Sequence, residues 1–455
     1  MSYSSCMIIA IDQGSSATKV IVVGGDGSIL GASTQPVTSR AAEAVTSSVL
    51  KATRGAVKGL RISPRQTIIG ISAQRSTIAR FDGSGNPCGE VIPWWDRSGL
   101  QQEDVAARDA ERFTRATGLP LIPNWFAGKL AKLLPLEPGL RAGTVDTLLM
   151  AWMTGGRIYR TDFSNACRTG LVDLHLRKRT DTLRKLFRIP EELKLAEIAA
   201  SDAYFGAVTR PGFPVHGRIG AVMGDAGASL MGATGGRAGI MHMTLGTGGF
   251  LQYPVAASTH PRGGLYLAPA WKSGRIIRWT LEASIPAMAS ALNAGLKAVG
   301  LPSDAARRMT PRSTGRLHAL LAPNGMGAIG PTHVTGLHFV GPWKRAPDEE
   351  KLGALLEGLA FLMARAILIF PERPRRITAG GGLSRLPFLL QSIADFTGIP
   401  VTPLAEPETS AWGTAMLASN KTAHQLNHIP WLKPISPRRI IRGQYTIFRE
   451  ILHGK

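Results

Sequence analysis

The stretch Ile8-Ile9-Ala10-Ile11-Asp12-Gln13-Gly14-Ser15-Ser16-Ala17-Thr18-Lys19-Val20-Ile21-Val22-Val23 decides the reading of this chain. An apolar run, a short Gly/Ser turn and a second β-branched run spell strand, turn, strand. A turn so poor in bulky side chains gathers backbone N–H groups and small hydroxyls where a phosphate can approach. Asp12 at its mouth is a hard oxygen donor of the kind Mg²⁺ prefers. An ordinary β-hairpin carries the same pattern, so the weight falls on a second copy. That copy is Ile240-Met241-His242-Met243-Thr244-Leu245-Gly246-Thr247-Gly248-Gly249-Phe250-Leu251-Gln252-Tyr253. Two phosphate-type hairpins, one opening each half of the chain, predict a duplicated α/β nucleotide-binding fold with a cleft between the copies.

Working outward, residues 40–60 read as a helix and Thr67-Ile68-Ile69-Gly70-Ile71-Ser72 as a buried strand that runs into Ala73-Gln74-Arg75-Ser76-Thr77. Polar residues after a strand's carboxyl end are where open α/β sheets place ligands, so Arg75 is a candidate substrate donor; a surface ion pair is the alternative. Trp94-Trp95-Asp96-Arg97 sets aromatic faces beside charged groups, which suits a polyol's C–H edges and hydroxyl rims, or simply a core Trp pair. A charged helix over 100–117, a helix from Thr144 to Thr154 stopped by Gly155-Gly156, and a polar loop from Thr161 to Leu171 come next. In Gly220-Ala221-Val222-Met223-Gly224-Asp225, Asp225 projects from an uncrowded strand-to-helix corner; a helix N-cap is the other reading. The second half repeats the rhythm: strands over 263–271 and 276–280, a helical Leu281-Glu282-Ala283-Ser284-Ile285, a Gly/Pro-rich loop over 323–342, and an apolar helix from Leu352 to Phe370. Finally, Ile377-Thr378-Ala379-Gly380-Gly381-Gly382-Leu383-Ser384 is a strand ending in three glycines, which let a base or its phosphates approach the backbone.

Composition narrows the function classes. The 455 residues predict two domains, and 44% hydrophobic content supplies two cores. A net charge of +22 invites nucleic acid, but the basic residues are scattered and no helix-turn-helix, zinc-finger or RNP signature accompanies them. No specific nucleic-acid function is expected, and an Arg-rich surface can instead draw in anionic substrates. Cys6, Cys88 and Cys167 are too few and too far apart for a disulfide frame or a zinc site. The apolar helix carries Glu357 and Arg365 and reads as buried rather than membrane-spanning. Residues 1–6 lack a basic region followed by a long apolar run, so a cytoplasmic location is expected.

Taken in order, these motifs resemble the FGGY family of carbohydrate kinases, within the fold group that also holds hexokinase and actin; the likeness runs from about residue 7 to 420. It implies two actin/hexokinase-like (ribonuclease H-like) domains, an N-terminal one over 1–235 and a C-terminal one over 236–455. Ile71 to Arg75, Trp94 to Arg97 and Thr161 to Leu171 are similar to glycerol kinases, whereas Gly380 to Val401 looks more like the pentulose kinases. Carried over residue by residue, the resemblance implies that Arg75, Ser76, Trp94, Asp225 and Phe250 line the acceptor pocket, with Asp225 as general base. It puts Asp12, Gly14, Ser15, Ser16, Lys19, Gly246, Thr247, Gly381 and Gly382 around ATP, and Asp12 and Asp225 on Mg²⁺. The implied activity is ATP-dependent phosphorylation of a small polyol or sugar, with a pentulose kinase and a non-catalytic ATP-binding member as alternatives, and a homodimer admitted as an option. Three departures bear on the substrate. Ser76 stands where glycerol kinases carry a Glu, Ala226 where they carry a Gln, and Trp125 near an expected tyrosine.

Overall fold

The computed structural model describes residues 6–100, 105–261, 263–326, 334–405, 408–419 and 433–437. The chain forms two compact units. The first gathers the chain up to Gly236, the excursion Leu267–Trp279 and the helix Thr409–Ser419; the second takes Arg237–Tyr266 and most of the chain beyond Thr280.

The first unit is built on a five-stranded sheet in the order Arg218–Gly224, Thr67–Ala73, Met7–Gln13, Ala17–Val23, Ile29–Pro36. The first three strands are parallel; Ala17–Val23 runs antiparallel to them, and Ile29–Pro36 pairs antiparallel to Ala17–Val23. Because successive side chains point to opposite faces, the opening apolar run fills two cores at once. Ile9 and Ile11 pack with Val45, Val49, Leu148 and Met150 of the helices Ala42–Ala56 and Val145–Thr154 on one face. Ile8 and Ala10 pack with Ala228, Leu230, Trp412 and Met416 of the helices Asp225–Thr234 and Thr409–Ser419 on the other. Those last two helices touch backbone to backbone: a Cβ added at Gly232 would meet the Gly413 nitrogen at 2.9 Å, and one at Gly413 would meet the Gly232 nitrogen at 2.7 Å.

In the second unit the strands Gly249–Val255, Ile240–Leu245, Arg376–Gly380 and Val401–Pro403 lie side by side, with the Thr280–Ile285 end of another strand beyond Gly249–Val255. Strands 240–245 and 376–380 run parallel, with Thr244 opposite Gly380. The helix Asp348–Leu368 buries most of its length, Glu357 included. Among the described residues no helix is long and apolar enough to cross a membrane.

Three expectations need correction. Leu281 to Ile285 continues the strand Ile276–Ile285 and is not helical, although Leu, Glu and Ala favour helix; four of these five side chains are buried in the sheet, where tertiary packing overrides local propensity. The stretch 161–171 is not an open polar loop. It contains the helix Phe163–Cys167, capped by Asp162, and all eleven residues are buried. Of the expected loop 323–342, residues 327–333 lie outside the described residues, and Gly336–Val340 is a strand paired with His318–Ala322. The charged helix begins at Ala107 and ends in left-handed Gly118; residues 101–104 of that expected span lie outside the described residues. The three cysteines are free thiols, with Cys6 exposed and Cys167 buried.

Candidate active site

Register alone brings the first unit's candidates to one edge. Gln13, Ala73 and Gly224 sit side by side at the carboxyl ends of three parallel strands, so Gly14-Ser15, Gln74-Arg75 and Asp225 all emerge there. Arg75 Nε lies 3.3 Å from Asp225 Oδ1, with the Asp225 side chain 41% exposed. The stem of Arg75 passes so close to the corner that a Cβ at Gly224 would sit 2.7 Å from its Cδ. The corner is also propped from below. The Gly224 amide donates to Ser164 Oγ at 2.8 Å, and Ser164 Oγ donates to the buried Asp162 carboxylate at 2.8 Å.

Asp12 lies one position back on the central strand. Ser72, its register partner, donates a hydroxyl to Asp12 Oδ1 at 2.8 Å. Burial pushes the Asp12 carboxyl up to about 7; the Ser72 bond and Lys19 oppose that shift, while the negative charges of Asp225 and Glu408 add to it. Lys19, across the hairpin from Asp12, pairs with Glu408 at 2.8 Å. Within the turn, Gly14 N–H donates to Ala17 O and Ser15 Oγ donates to Gln74 Oε1 at 2.9 Å, while Ser16 faces solvent. Trp94 Nε1 donates to Ser15 Oγ at 3.0 Å, which brings the 39%-exposed Trp94 ring to the same edge, with Trp95 packed edge-on against it.

Ser76 is the exception. It is buried in a left-handed conformation at φ 62°, and its hydroxyl donates to the Arg168 carbonyl at 2.8 Å. The side chain expected to meet substrate is thus committed to the interior. Trp125 is likewise buried, its indole donating to Pro120 O and Arg168 lying over its ring.

The second unit repeats the device. The hairpin turn Gly246-Thr247-Gly248 closes on Gly246 N–H to Gly248 O at 3.0 Å. Its carbonyls at Thr247 and Gly246 accept from the Met288 and Ala289 amides, at the start of the helix Ala289–Ala298. Thr247 is exposed, as is the Phe250 ring, at 39%. The parallel neighbour ends at Gly380, so Gly381 and Gly382 emerge beside Gly246 and Thr247. Gly381 has φ 87°, and a Cβ there would sit 2.5 Å from the Leu245 carbonyl; around Gly382 nothing lies within 4 Å. Between these strands His242 contacts the Thr378 and Thr244 hydroxyls, and burial drops its imidazole to about 4, so it is neutral and structural.

Three participants escaped the sequence reading: Ser72, Gln74 and Glu408. The first two sit in the quoted strand end and were legible as polar residues on an otherwise apolar edge. Glu408 carries no local signal; it reaches Lys19 from 389 positions away through the fold.

As donors for a divalent cation, Asp12 and Asp225 fit Mg²⁺, which takes one or two carboxylates and completes its shell with water and phosphate oxygens. No group of three or more His, Cys, Asp or Glu suited to a metal occurs among the described residues, so the donor set is not a closed all-protein cage.

Comparison with known proteins agrees with this arrangement. Residues 7–232 match the N-terminal domain model, and 241–421 the C-terminal domain model, of the FGGY family of carbohydrate kinases. A glycerol kinase of Xanthobacter autotrophicus is 30% identical over 453 residues, covering 90% of this chain and 89% of that protein. A glycerol kinase of Listeria welshimeri is 30% identical over 448 residues, covering 90% and 89%. Among solved structures, Plasmodium falciparum glycerol kinase with ADP superposes with a TM-score of 0.84 at 19% identity, covering 98% of this chain and 96% of that one. A xylulose kinase from Rhodospirillum rubrum gives 0.80 at 20% identity, covering 98% and 97%. The parallel strand ends that carry Asp12, Arg75 and Asp225, and the two glycine-rich turns of the second unit, are therefore those of a member of the FGGY family of carbohydrate kinases, phosphotransferases that act on an alcohol group.

Proposed function

We propose that this kinase transfers the γ-phosphoryl group of ATP to a hydroxyl of a small polyol or sugar, in the manner of a glycerol kinase, with Asp225 as general base. The observation that carries this reading is the Arg75–Asp225 contact at the carboxyl edge that also holds Asp12. Asp225 is exposed enough to accept a hydroxyl proton, and the Arg75 guanidinium beside it keeps the carboxylate oriented. Trp94 and Phe250 offer apolar faces to the C–H side of a polyol. Ser76 is withdrawn from the acceptor set, because its hydroxyl is already used at Arg168.

Asp12 and Asp225 would hold Mg²⁺, which when bound neutralises charge on the transferring phosphoryl group. Ser15, Ser16 and Lys19 hold phosphate oxygens from the first hairpin, with Gly14 leaving room for them. Gly246 and Thr247 present backbone and hydroxyl donors from the second, while Gly381 and Gly382 let the adenosine approach the backbone. A cytoplasmic location, where ATP is abundant, goes with this reading.

The test is ADP release by the purified chain with Mg-ATP across glycerol, longer polyols, ketopentoses and ketohexoses. Turnover of glycerol or a related polyol, abolished in Asp225→Asn, supports the reading. Turnover confined to a ketopentose replaces it with a pentulose kinase, and ATP binding without any acceptor replaces it with a non-catalytic role.

A further inference from the structure

We propose that Lys129 is a positioning residue of the acceptor pocket: its buried ammonium ties together the two loops that present Arg75 and Trp94. The proposal rests on the kinase reading for its functional meaning, and on the local geometry for its physical content. Lys129 belongs to the helix Phe126–Lys132 and is completely buried, among the largest fully buried side chains of the protein. Its Nζ donates to the Ser76 carbonyl at 2.9 Å and to the Pro93 carbonyl at 2.7 Å. Ser76 directly follows Arg75, and Pro93 directly precedes Trp94. One cation therefore fixes the backbone on the inner side of both residues whose side chains face the other way, toward Asp225 and Ser15.

A buried ammonium is a costly way to fill space, and an apolar side chain of the same length would pack at less expense. What the ammonium adds is direction. Ser76 holds a left-handed backbone unusual for a residue with a Cβ, one of three such residues among those described, and its conformation is secured from both sides. The hydroxyl is tied to Arg168 O and the carbonyl to Lys129. The Pro93 carbonyl is shared with the Asp96 amide, so the Trp94 turn is closed and anchored at one atom. Asp96 also lies close enough to favour the charged form of Lys129, against the burial that lowers its ammonium to about 8. Removing the ammonium leaves the Ser76 carbonyl without the Lys129 donor and the Pro93 carbonyl with the Asp96 amide, and frees the Arg75 turn to relax.

The experiment compares the full chain with Lys129→Met, a side chain of similar length without donors, and with Ser76→Gly, which releases the same turn from the other side. Hydrogen exchange is followed in the peptides around 74–78 and 92–96, together with acceptor KM, kcat and, separately, ATP affinity. The expected result is faster exchange in both peptides for Lys129→Met and in the first for Ser76→Gly. The acceptor kcat/KM should fall about 10- to 100-fold, the range for a slightly misplaced binding group, with ATP affinity within about twofold of the parent. Unchanged exchange in both peptides of a folded Lys129→Met overturns the inference, as does equal weakening of ATP and acceptor, which marks a general structural loss. If Lys129→Met does not fold, Lys129→Gln, too short to bridge both carbonyls, decides by the same readouts. A parent chain that turns over no acceptor removes the kinase reading alone, since the exchange result still decides whether Lys129 joins the two loops.

Discussion

Arg75 Nε sits 3.3 Å from Asp225 Oδ1, a contact between the second residue after one parallel strand and the first residue after its neighbour. It holds a part-exposed carboxylate in place without burying it. Asp225→Asn keeps the shape and removes the proton acceptor. Turnover is expected to fall about 10²- to 10⁴-fold with ATP affinity retained, read by steady-state kinetics beside a direct nucleotide titration. Parent-like turnover would remove Asp225 from the chemistry.

The Lys19–Glu408 pair at 2.8 Å makes a second prediction. A lysine held by a carboxylate on the helix side is pre-aimed at a phosphate, and charge-assisted bonds to phosphate are strong. Lys19→Met should raise the ATP KM by about tenfold, corresponding to ~1.4 kcal/mol, and leave the acceptor KM near the parent value. An unaltered ATP KM at low salt counts against the phosphate role.

Gly381 and Gly382 separate backbone strain from ligand contact. An alanine at 381 must adopt φ 87° and crowd the Leu245 carbonyl, so Gly381→Ala should lower the melting temperature, with a strain cost of about 1–3 kcal/mol. Gly382 has open space around it, so Gly382→Ala should keep the parent melting temperature and weaken nucleotide binding only. Thermal melts with and without ATP distinguish the two. A lowered melting temperature for both variants without nucleotide contradicts the assignment.

Asp146 and Asp162 are both buried, yet only one is well solvated by the protein. Asp162 accepts five hydrogen bonds, from the amides and side chains of Ser164 and Asn165 and from Ser201, whereas Asp146 accepts from the Thr161 hydroxyl. Burial, reinforced by the Asp162 charge, pushes the Asp146 carboxyl up to about 7. Its stabilising contribution is full below the unfolded value near 3.8 and is lost as pH rises through about 7. Asp146→Asn mimics the protonated form. It should match the parent near pH 4 and exceed it at pH 8.5 by about 2 kcal/mol or more, measured by urea unfolding. A variant less stable than the parent at pH 8.5 contradicts this.

The frame was legible because its signals are local. The two hairpins, the strand ending at Ala73 and the Gly224-Asp225 corner each announce themselves locally, and register within each unit then brings the neighbouring strand ends together. The Asp162 cap was also legible in principle, since Asp followed by Ser and Asn is a helix-start pattern, but the polar composition reads equally well as a loop. Leu281 to Ile285 misleads because helix formers fill a strand whose neighbours decide its form. For Ser76 the sequence gives its place but not its φ or the bond from its hydroxyl to Arg168. Lys129 and Glu408 act through partners far along the chain, at Ser76 and Lys19, and no spacing rule anticipates them.

The glycine contact between the helices Asp225–Thr234 and Thr409–Ser419 has a practical corollary. The first unit borrows a wall from residues beyond 408 of the polypeptide. Severing the gene product near residue 236 would strip the Asp225 helix of its Gly413 neighbour and uncover Ala228, Leu230 and Met231. Complementation between separately produced fragments should therefore succeed only when the partner piece extends through residue 419.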